Sequence, residues 1–319
     1  MTIHQLSSSP PLELGIALEE FEQSFLYPLG SQQRFRISHG REYLPFFRAM
    51  GEVTLLVAEH KGEVLGTLVL VRRIVRVRTA EGTQEQPAYY LCDLKLRAEW
   101  RRTPLLTRLI AAARKQIETS GCHRCYCVVM DGTGRLPTDY TGRMGIPPFE
   151  RLGEIMVMRL SSRETLPVDH HVRGVPVSDV EDLCAQIRGA GVTAACGLSS
   201  ERSLMTPLGF IDSVGQACGK LEDTRRGKRL HLESGEELLS AHLSNWAWTD
   251  ARAAVRVLRQ ALAASLQHDF PALFAAMPRQ WYPQLAPLLH LLQIQEAPAT
   301  IFGTGFDLYQ DWWIDTAEI

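Results

Sequence analysis

The sequence predicts an α/β (α+β) fold built from two successive units, at residues 1–162 and 163–319. One observation behind this prediction is that a strand, a short Arg-rich connection and an amphipathic helix follow one another over residues 89–120. The other is that the order of strand, helix, hairpin, long helix and apolar strand returns in the second half of the chain. A weakly marked linker separates the two units at residues 161–171.

The composition is that of a globular protein long enough for two domains: 319 residues, 45% of them hydrophobic, with a formal net charge of −2. The near-neutral charge predicts no nucleic-acid partner, because nucleic-acid-binding proteins normally present a basic face. No apolar stretch is long enough to span a bilayer, so we expect no membrane partner. The N-terminal residues lack the charged and apolar regions of a secretory signal, which predicts a cytoplasmic protein.

The elements of the first unit can be predicted in order. Residues 57–70 predict a hairpin that turns at Lys61 and Gly62, and the basic run at 72–78 predicts a strand with one solvated face. After the strand at 89–96, apolar residues recur at helical spacing, namely Leu105, Leu106, Leu109, Ile110, Ala113 and Ile117. The connection at 99–104 therefore lies at a helix N-terminus, where unpaired N–H groups and the helix dipole suit a phosphate or pyrophosphate.

The hairpin, with Gly66 in its second strand, and the stretch from Leu94 to Ile110 resemble the GNAT N-acyltransferases, which transfer an acyl group from acyl-coenzyme A to an amine. The resemblance covers most of residues 35–160 and extends to the rest of the chain only in the order of elements. It implies that each unit is a mixed, mostly antiparallel twisted sheet flanked by helices. It also implies acetyl-CoA or another acyl-CoA as co-substrate, a small-molecule or peptide amine as acceptor, and no metal.

The cofactor loop departs from the family pattern, Gln/Arg-x-x-Gly-x-Gly/Ala, because this chain keeps the Arg but neither small residue. The resemblance implies that the cofactor is bound by Leu94, Lys95 and Leu96 in the strand and by Arg101, Arg102, Thr103, Pro104, Leu105 and Leu106 in the loop. Glycines let a backbone approach a diphosphate, whereas Pro104 removes an N–H donor, although proline is tolerated in a first helical turn. The loop therefore either binds through its remaining amides and its arginines, or has lost the ligand.

Two side chains are candidates for the proton transfers that acylation of an amine requires. Asp93 interrupts an apolar strand just before the cofactor segment and is the candidate base; the alternative is a structural carboxylate paired with an Arg of the preceding strand. Residues 148–154 resemble a short helix and turn of the family, in which Phe149 stands where many members have the tyrosine that protonates the departing thiolate. Tyr140, a few residues upstream, is the candidate substitute. By the same resemblance, His39, Arg41, Glu42 and Tyr43 border the acceptor site; the alternative is a helix cap and a solvated helix face.

The second unit carries weaker signals. Its predicted elements are a strand and a helix capped by Ser178 at 171–190, a hairpin at 214–223, a helix at 250–267, a strand at 270–277, a short helix at 279–292, and strands at 297–306 and 312–319. Where a phosphate loop would lie, residues 246–250 contain neither Arg nor Gly. This absence predicts an inactive second unit.

The cysteines Cys122, Cys125 and Cys127 have a spacing that suggests a metal or redox site. No matching C-x-x-C pair follows in the second half, and the three residues enter a predicted buried strand, so we interpret them as packing residues.

Two other classes of function stay open. A non-catalytic binding or regulatory protein would explain the lost glycines, Phe149 and the diverged second unit together. An acyltransferase that uses an acyl carrier protein would also relax the loop, because a carrier-bound phosphopantetheine presents no diphosphate. The basic run, with Arg72, Arg73, Arg76 and Arg78, would then meet an acidic carrier.

Overall fold

A computed structural model describes residues 1–29, 33–79, 81–140, 147–162, 170–188, 191–194, 202–290, 292–308 and 310–319. Its helices are α1 Leu12–Glu22, α2 Pro45–Arg48, α3 Leu105–Thr119, α4 Val177–Ile187, α5 Ala251–Gln267 and α6 Tyr282–Leu285. Short 3-10 turns lie at Ala98–Trp100, Pro137–Tyr140, Arg279–Trp281, Ala286–Leu288 and Thr316–Glu318. Within the described ranges, no helix is both long and apolar enough to cross a membrane.

The chain is rich in strands. They are β1 Thr2–Leu6, β2 Tyr27–Leu29, β3 Gln33–Ser38, β4 Glu52–His60, β5 Glu63–Thr79, β6 Gly82–Leu96, β7 Cys125–Met130, β8 Glu150–Ser161, β9 Val172–Val175, β10 Val192–Ala194, β11 Leu208–Asp212, β12 Ala217–Glu222, β13 Arg229–Leu232, β14 Ala241–Trp248, β15 Ala272–Pro278, β16 Ile294–Thr304 and β17 Trp312–Trp313.

One continuous sheet of 14 strands runs through the molecule. Its main path has the order β1-β4-β5-β6-β7-β16-β8-β15-β14-β12-β11-β9, and β10 joins β17 to β5. Neighbours on the main path are antiparallel except for two parallel pairs, β6 with β7 and β14 with β15. The predicted fold class, a mixed and mostly antiparallel sheet flanked by helices, is confirmed. A second, three-stranded sheet has the order β13-β3-β2.

The main path has the same arrangement when it is followed from either end. Each half contributes, in order, one outer strand, the two strands of a hairpin, a bulged strand and the parallel partner of that bulged strand. In the first half these are β1, β4 and β5, β6, and β7; in the second half they are β9, β11 and β12, β14, and β15. The last strands are exchanged, because β8 pairs with β15 and β16 pairs with β7. The predicted unit boundary after residue 162 adjoins residues 163–169, which lie outside the described residues.

The two faces of the first half of the sheet are covered by different helices. Successive residues of a strand point to opposite faces. Val69 accordingly packs in one cluster with Phe21 of α1 and Phe47 of α2, whereas Leu70 packs in another with Leu109 of α3. The sheet therefore has an α1 face and an α3 face.

The first-half elements predicted from local pattern are confirmed: the hairpin turns at Lys61 and Gly62, with φ of 53° and 84°, and α3 and β7 lie where expected. The prediction of a turn and short helix at 148–154 is wrong. This segment enters β8, which has ladder partners on both edges, β16 and β15. Both partners come from the second half, so no local pattern could reveal them.

Two further predictions need correction. The predicted cap Ser178 lies inside α4, which follows Pro176 without a side-chain cap. The last predicted strand, at 312–319, is reduced to β17, which pairs with β10. The basic run does form a strand with one open face, because residues 72, 74 and 76 are half-buried or exposed and residues 71, 73, 75 and 77 are buried. Arg73 nevertheless lies on the buried face, where it pairs with Glu318. The C-terminal residues cross this face and bring the carboxylate; the side chain of residue 78 lies outside the described part.

Candidate functional site

A bulge in β6 organises the polar residues of the first half. Between the pairs Val69–Cys92 and Thr67–Lys95, β6 has one residue more than β5. Asp93 adopts a φ of 52°, and its carbonyl oxygen accepts a hydrogen bond from the Thr67 hydroxyl at 3.0 Å. Because an extra residue interrupts the alternation of a strand, the side chains of Asp93 and Lys95 both point to the α1 face. Leu94, between them, is 46% exposed.

Strands β6 and β7 lose their pairing just before the bulge. Within these fully described strands, parallel pairing is limited to Tyr89 with Cys125 and Tyr90 with Tyr126, where the two tyrosine rings stack at 5.0 Å. Past this contact, residues 127–130 of β7 are only half-buried. The divergence leaves a cleft between the main chains of the two strands, which we call the first cleft.

The Arg-rich connection leads from the first cleft to the N-terminus of α3. Arg101 and Arg102 are exposed, Thr103 is half-buried, and Pro104 precedes the helix without a side-chain cap. Leu105 is buried and Leu106 half-buried, so both anchor the first turn of α3 to the molecule. Cationic side chains beside a helix N-terminus create a local positive potential that suits an anion.

On the α1 face, Asp93 belongs to a buried ionic cluster, which we call the Glu22 cluster. The Lys95 ammonium lies 2.6 Å from Asp93 Oδ1 and 2.9 Å from Glu22 Oε1. His39 Nδ1 lies 2.7 Å from Glu22 Oε1. The Tyr43 hydroxyl donates to Asp93 Oδ2 at 2.5 Å. Asp93 is thus a paired carboxylate, but its partner is Lys95 rather than the arginine of the preceding strand that the sequence suggested.

The charges of this cluster determine its protonation. Burial by itself raises the pKa of Asp93, but the Lys95 ammonium, His39 and the hydrogen bonds from Lys95 and Tyr43 outweigh it, so the pKa lies below its usual value. The pKa of Glu22 is lowered in the same way, chiefly by His39 and then by Lys95, against the effect of burial. Burial and the nearby carboxylates raise the pKa of Tyr43. Both carboxylates are therefore ionised at neutral pH and Tyr43 keeps its proton.

The Glu22 cluster also has the donor types of a metal site. One ligand atom each from Glu22, His39 and Asp93 lies within 4.8 Å of the other two. The Lys95 ammonium already binds both carboxylates and supplies a positive charge at this point. The arrangement can hold a proton or orient a hydrogen-bonding group without a further cation.

The second predicted catalytic residue, Tyr140, lies in a different environment. It ends the 3-10 turn at 137–140 and packs, half-buried, against the cluster that contains Leu105 and Phe149. Phe149 is 6% exposed. The structure therefore places Tyr140 with the α3-face residues and the Asp93 carboxylate on the α1 face, and the residues that follow Tyr140, 141–146, lie outside the described part.

Of the residues predicted at the acceptor site, His39 and Tyr43 are buried in the Glu22 cluster, whereas Arg41 and Glu42 are exposed. Sequence reasoning missed Glu22 itself. A signal for it existed, because Leu18, Phe21 and Glu22 share helical spacing and all three are buried. A carboxylate on the buried stripe of a helix needs a polar partner in the core. That partner, Lys95, is distant in sequence and was assigned from the resemblance to the cofactor strand.

The second half repeats the bulge of the first. β12 and β14 shift register between Cys218 and Lys220, and Asn245 has a φ of 52°. The Cys218 thiol lies 3.6 Å from the carbonyl oxygen of Asn245, as the Thr67 hydroxyl contacts that of Asp93. The rings of His242 and Phe274 stack at 5.5 Å across the parallel strands, as the two tyrosines do in the first half.

The cleft beyond the second bulge is filled with the chain's own side chains. Trp246 is fully buried, donates from Nε1 to the carbonyl of Ala254 in α5, and contacts Trp248 at 4.7 Å between ring centroids. Asp315 Oδ2 accepts the main-chain N–H of Asn245 at 3.1 Å. The helix N-terminus is also occupied, because the Asp250 side chain accepts from the N–H of Ala253.

Comparison with known proteins identifies the fold. No protein-family model and no curated protein sequence matches the chain. Among solved structures, N-myristoyltransferase from Saccharomyces cerevisiae with bound myristoyl-CoA has a TM-score of 0.63 at 9% identity, over 94% of this chain and 82% of that one. A GCN5-related N-acetyltransferase from Anabaena variabilis has a TM-score of 0.53 at 13% identity, over 95% and 72% of the two chains. A probable N-acyltransferase from Enterococcus faecalis gives 0.52 at 9% identity, with the same coverage. The chain thus has the GNAT fold that its sequence resembles.

Proposed function

We propose that the chain is an acyl-CoA-dependent N-acyltransferase, which moves the acyl group of acetyl-CoA, or of another acyl-CoA, to an amine of a small molecule or peptide. The observation that carries the proposal is the first cleft, with an Arg-flanked helix N-terminus beside it. N-myristoyltransferase, which shares the fold, was solved with myristoyl-CoA bound, and this supports an acyl-CoA ligand here. The repeated bulges support a division into two GNAT-like domains at 1–162 and 163–319.

In this proposal the cofactor lies along the first cleft. The main-chain groups of Leu94, Lys95 and Leu96 lie just after the bulge, on the edge of β6 where β7 is no longer paired with it. These groups bind the pantetheine arm. Among residues 101–106, the N–H groups of Arg102 and Leu106, with the side chains of Arg101 and Arg102, hold the diphosphate. The N–H groups of 101, 103 and 105 already donate to Ala98, Trp100 and the Thr103 hydroxyl. Pro104 contributes no N–H, so the two arginines supply a larger share of the binding than in a glycine-rich loop.

The acyl transfer occurs by direct attack in a ternary complex. The amine nitrogen bonds to the thioester carbonyl carbon, the C–S bond breaks, and the coenzyme leaves as a thiolate. Asp93, ionised and facing the α1 side, takes the proton that the acceptor ammonium loses to become a nucleophilic amine, and the second proton of the nitrogen passes to solvent as the amide forms. Tyr140, on the α3 side, protonates the thiolate. In this proposal the amine therefore arrives from the α1 side and the thiolate is protonated from the α3 side.

Calorimetric titration with acetyl-CoA tests the proposal, with pantetheine fragments that lack the diphosphate run in parallel. We expect micromolar binding of acetyl-CoA and much weaker binding of the fragments, since the arginines and helix amides recognise the diphosphate. No binding at millimolar acetyl-CoA contradicts the proposal and favours a non-catalytic protein or a carrier-protein substrate. A titration with longer acyl-CoA molecules then distinguishes a protein that requires a longer acyl group from one that has lost the cofactor site.

Turnover of the variants Asp93→Asn and Tyr140→Phe tests the two proton transfers. If the roles are as proposed, kcat falls by about 100-fold or more in each, with acetyl-CoA binding retained. A variant Asp93→Asn that unfolds more readily but keeps its kcat shows instead that the carboxylate only pairs with Lys95.

The carrier-protein alternative is less well supported by the basic run. Arg72 pairs with Glu52 and Arg76 pairs with Glu85, and Arg73 is buried. These contacts offset charge that an acidic carrier would need. A carrier protein that shifts this chain in size-exclusion chromatography would nevertheless support that alternative.

A further inference from the structure

A second group of buried charges lies in the other half of the molecule. We call it the inner cation cluster: Arg202, Lys220 and Lys228 with Glu222 and His242, all of them buried. Glu222 Oε1 lies 2.9 Å from Arg202 Nη2 and 3.5 Å from Lys220 Nζ. Two cationic side chains of this cluster, those of Arg202 and Lys220, therefore share one carboxylate oxygen.

Arg202 has hydrogen-bonding capacity that the protein does not use. Its side chain is fully buried, yet Nε and Nη1 have no hydrogen-bond partner among the described residues, and only Nη2 contacts Glu222. A guanidinium carries five N–H donors, and buried donors are nearly always paired. The buried Arg73 and Arg188 lack a partner only at Nε, whereas Arg202 also lacks one at Nη1 among the described residues. An unpaired Nη1 on a buried arginine is the feature expected of a residue that binds an anionic group.

Lys228 connects this cluster to the first half. Its loop presses on α2, because a Cβ at Gly227 would lie 2.5 Å from the main-chain nitrogen of Phe46. The Lys228 ammonium lies 4.4 Å from the centre of the Phe46 ring and bonds the main-chain oxygen of Ile319. Lys228 interacts electrostatically with both Arg202 and Asp93. Lys228 therefore couples the charges of the inner cation cluster to that of the proposed base.

The protonation of the cluster reflects its surplus of positive charge. Burial, and then Arg202, lower the pKa of Lys228 to about 7, although the Asp93 carboxylate opposes this shift. Burial, Lys228 and Arg202 together lower the pKa of His242. A bound anion would offset this charge and accept the unpaired Arg202 donors.

We propose that the inner cation cluster binds a carboxylate of the acceptor, so that the acceptor is an amino acid or a peptide with a carboxylate near its reacting amine; this rests on the proposed function. An acceptor approaches Asp93 as an ammonium ion, and surplus positive charge repels it unless it also carries an anion. Polyamines and other purely cationic amines are therefore excluded as acceptors. Arg202 and Lys228 determine specificity and take no part in the bond changes.

The test compares amino acids with their carboxamides, which keep the amine and lose the carboxylate. Thiol release from acetyl-CoA is measured for the wild type, Arg202→Gln and the control Arg256→Gln, whose guanidinium binds Asp212 instead. We expect the wild type and the control to prefer the amino acids by at least about tenfold in kcat/KM, and Arg202→Gln to lose the preference. Carboxamides or polyamines that serve as well as amino acids overturn the proposal.

Two further measurements keep this test decisive. If Arg202→Gln does not fold, Lys228→Gln takes its place, with the same expected loss of preference. If no acceptor is turned over, the unfolding temperature is measured with the same amino acids and carboxamides. A rise with the amino acids that Arg202→Gln abolishes supports the site, and no rise overturns it. Failure of the proposed function is distinguished beforehand, because acetyl-CoA then does not bind in calorimetry.

Discussion

Asp93 and Asn245 occupy the same place in the two halves, each at a bulge just beyond a stacked pair of rings on parallel strands. The residues that follow them differ. Leu94 is 46% exposed beside the first cleft, whereas Trp246 is fully buried in the second. The connection to the next helix spans residues 97–104 in the first half and only 249–250 in the second. The same backbone geometry therefore forms a candidate site in one half and a packed core in the other.

The C-terminal residues explain how the second cleft is stabilised. Asp315 binds the N–H of Asn245 and pairs with Arg188, and Trp313 packs between Arg188 and Trp248. These groups close the second cleft with side chains and hydrogen bonds. Polar main-chain groups that a ligand would satisfy in an open cleft are thus satisfied within the chain.

The largest effect is expected for Trp313→Ala, which removes part of the filling of the second cleft. Because Trp313 is 6% exposed and contacts other aromatic rings, the free energy of unfolding should fall by about 3–5 kcal/mol. Urea denaturation measures the loss. The variant should bind acetyl-CoA with unchanged affinity and stoichiometry. A second molecule of acetyl-CoA bound by this variant would show that the second cleft can hold the cofactor and is only covered by Trp313.

The next largest effect is expected for Leu94→Trp, which introduces into the first cleft the residue type found after the second bulge. The indole should cover the first cleft and weaken acetyl-CoA binding by about 100-fold, or about 2.7 kcal/mol. The matched control is Ile74→Trp on β5, where the native side chain is 42% exposed. Equal affinities for the two variants in calorimetry would place the cofactor elsewhere.

A pH effect is expected at the junction of the two halves, where Lys228 has a pKa of about 7 in the folded chain against an ordinary value of 10.5. Between these values the unfolded chain binds more protons, so the folded state becomes more stable as pH rises. Relative to Lys228→Met, the wild type should gain about 2 kcal/mol in free energy of unfolding from pH 7 to pH 9. Parallel curves for the two proteins would contradict the lowered pKa.

The smallest effect is expected for the exposed arginines of the loop. Replacing Arg101 and Arg102 together by Gln should weaken acetyl-CoA binding by about tenfold, or about 1.4 kcal/mol, and reduce its salt dependence. Arg252→Gln, in the first turn of α5, is the counterpart in the second half and should leave the affinity unchanged. A similar loss in both variants would indicate a nonspecific charge effect.

The sequence predicted the parts of this comparison that depend on local pattern. The hairpin at Lys61, helix α3, strand β7 and helix α5 could be found because each carries its own periodicity or turn residues. The missing Arg and Gly at 246–250 also distinguished the second connection from the first. The roles of the predicted site residues stay predictions that the variants above test.

The sequence could not reveal contacts made between distant segments. The partner of Asp93 is Lys95, and the partner of Lys95 is Glu22 in the first helix. Arg73 was predicted on a basic strand but is buried against Glu318. Such ion pairs form only after the chain has folded, because each requires burial of both partners in one place.

By itself, the sequence determined the fold class and the position of a strand, loop and helix suited to an acyl-CoA, since apolar spacing and turn residues act locally. The exchange of β8 and β16, the Glu22 cluster and the filling of the second cleft were decided only by the tertiary structure. Each depends on groups that are far apart in the chain and meet when one continuous sheet forms.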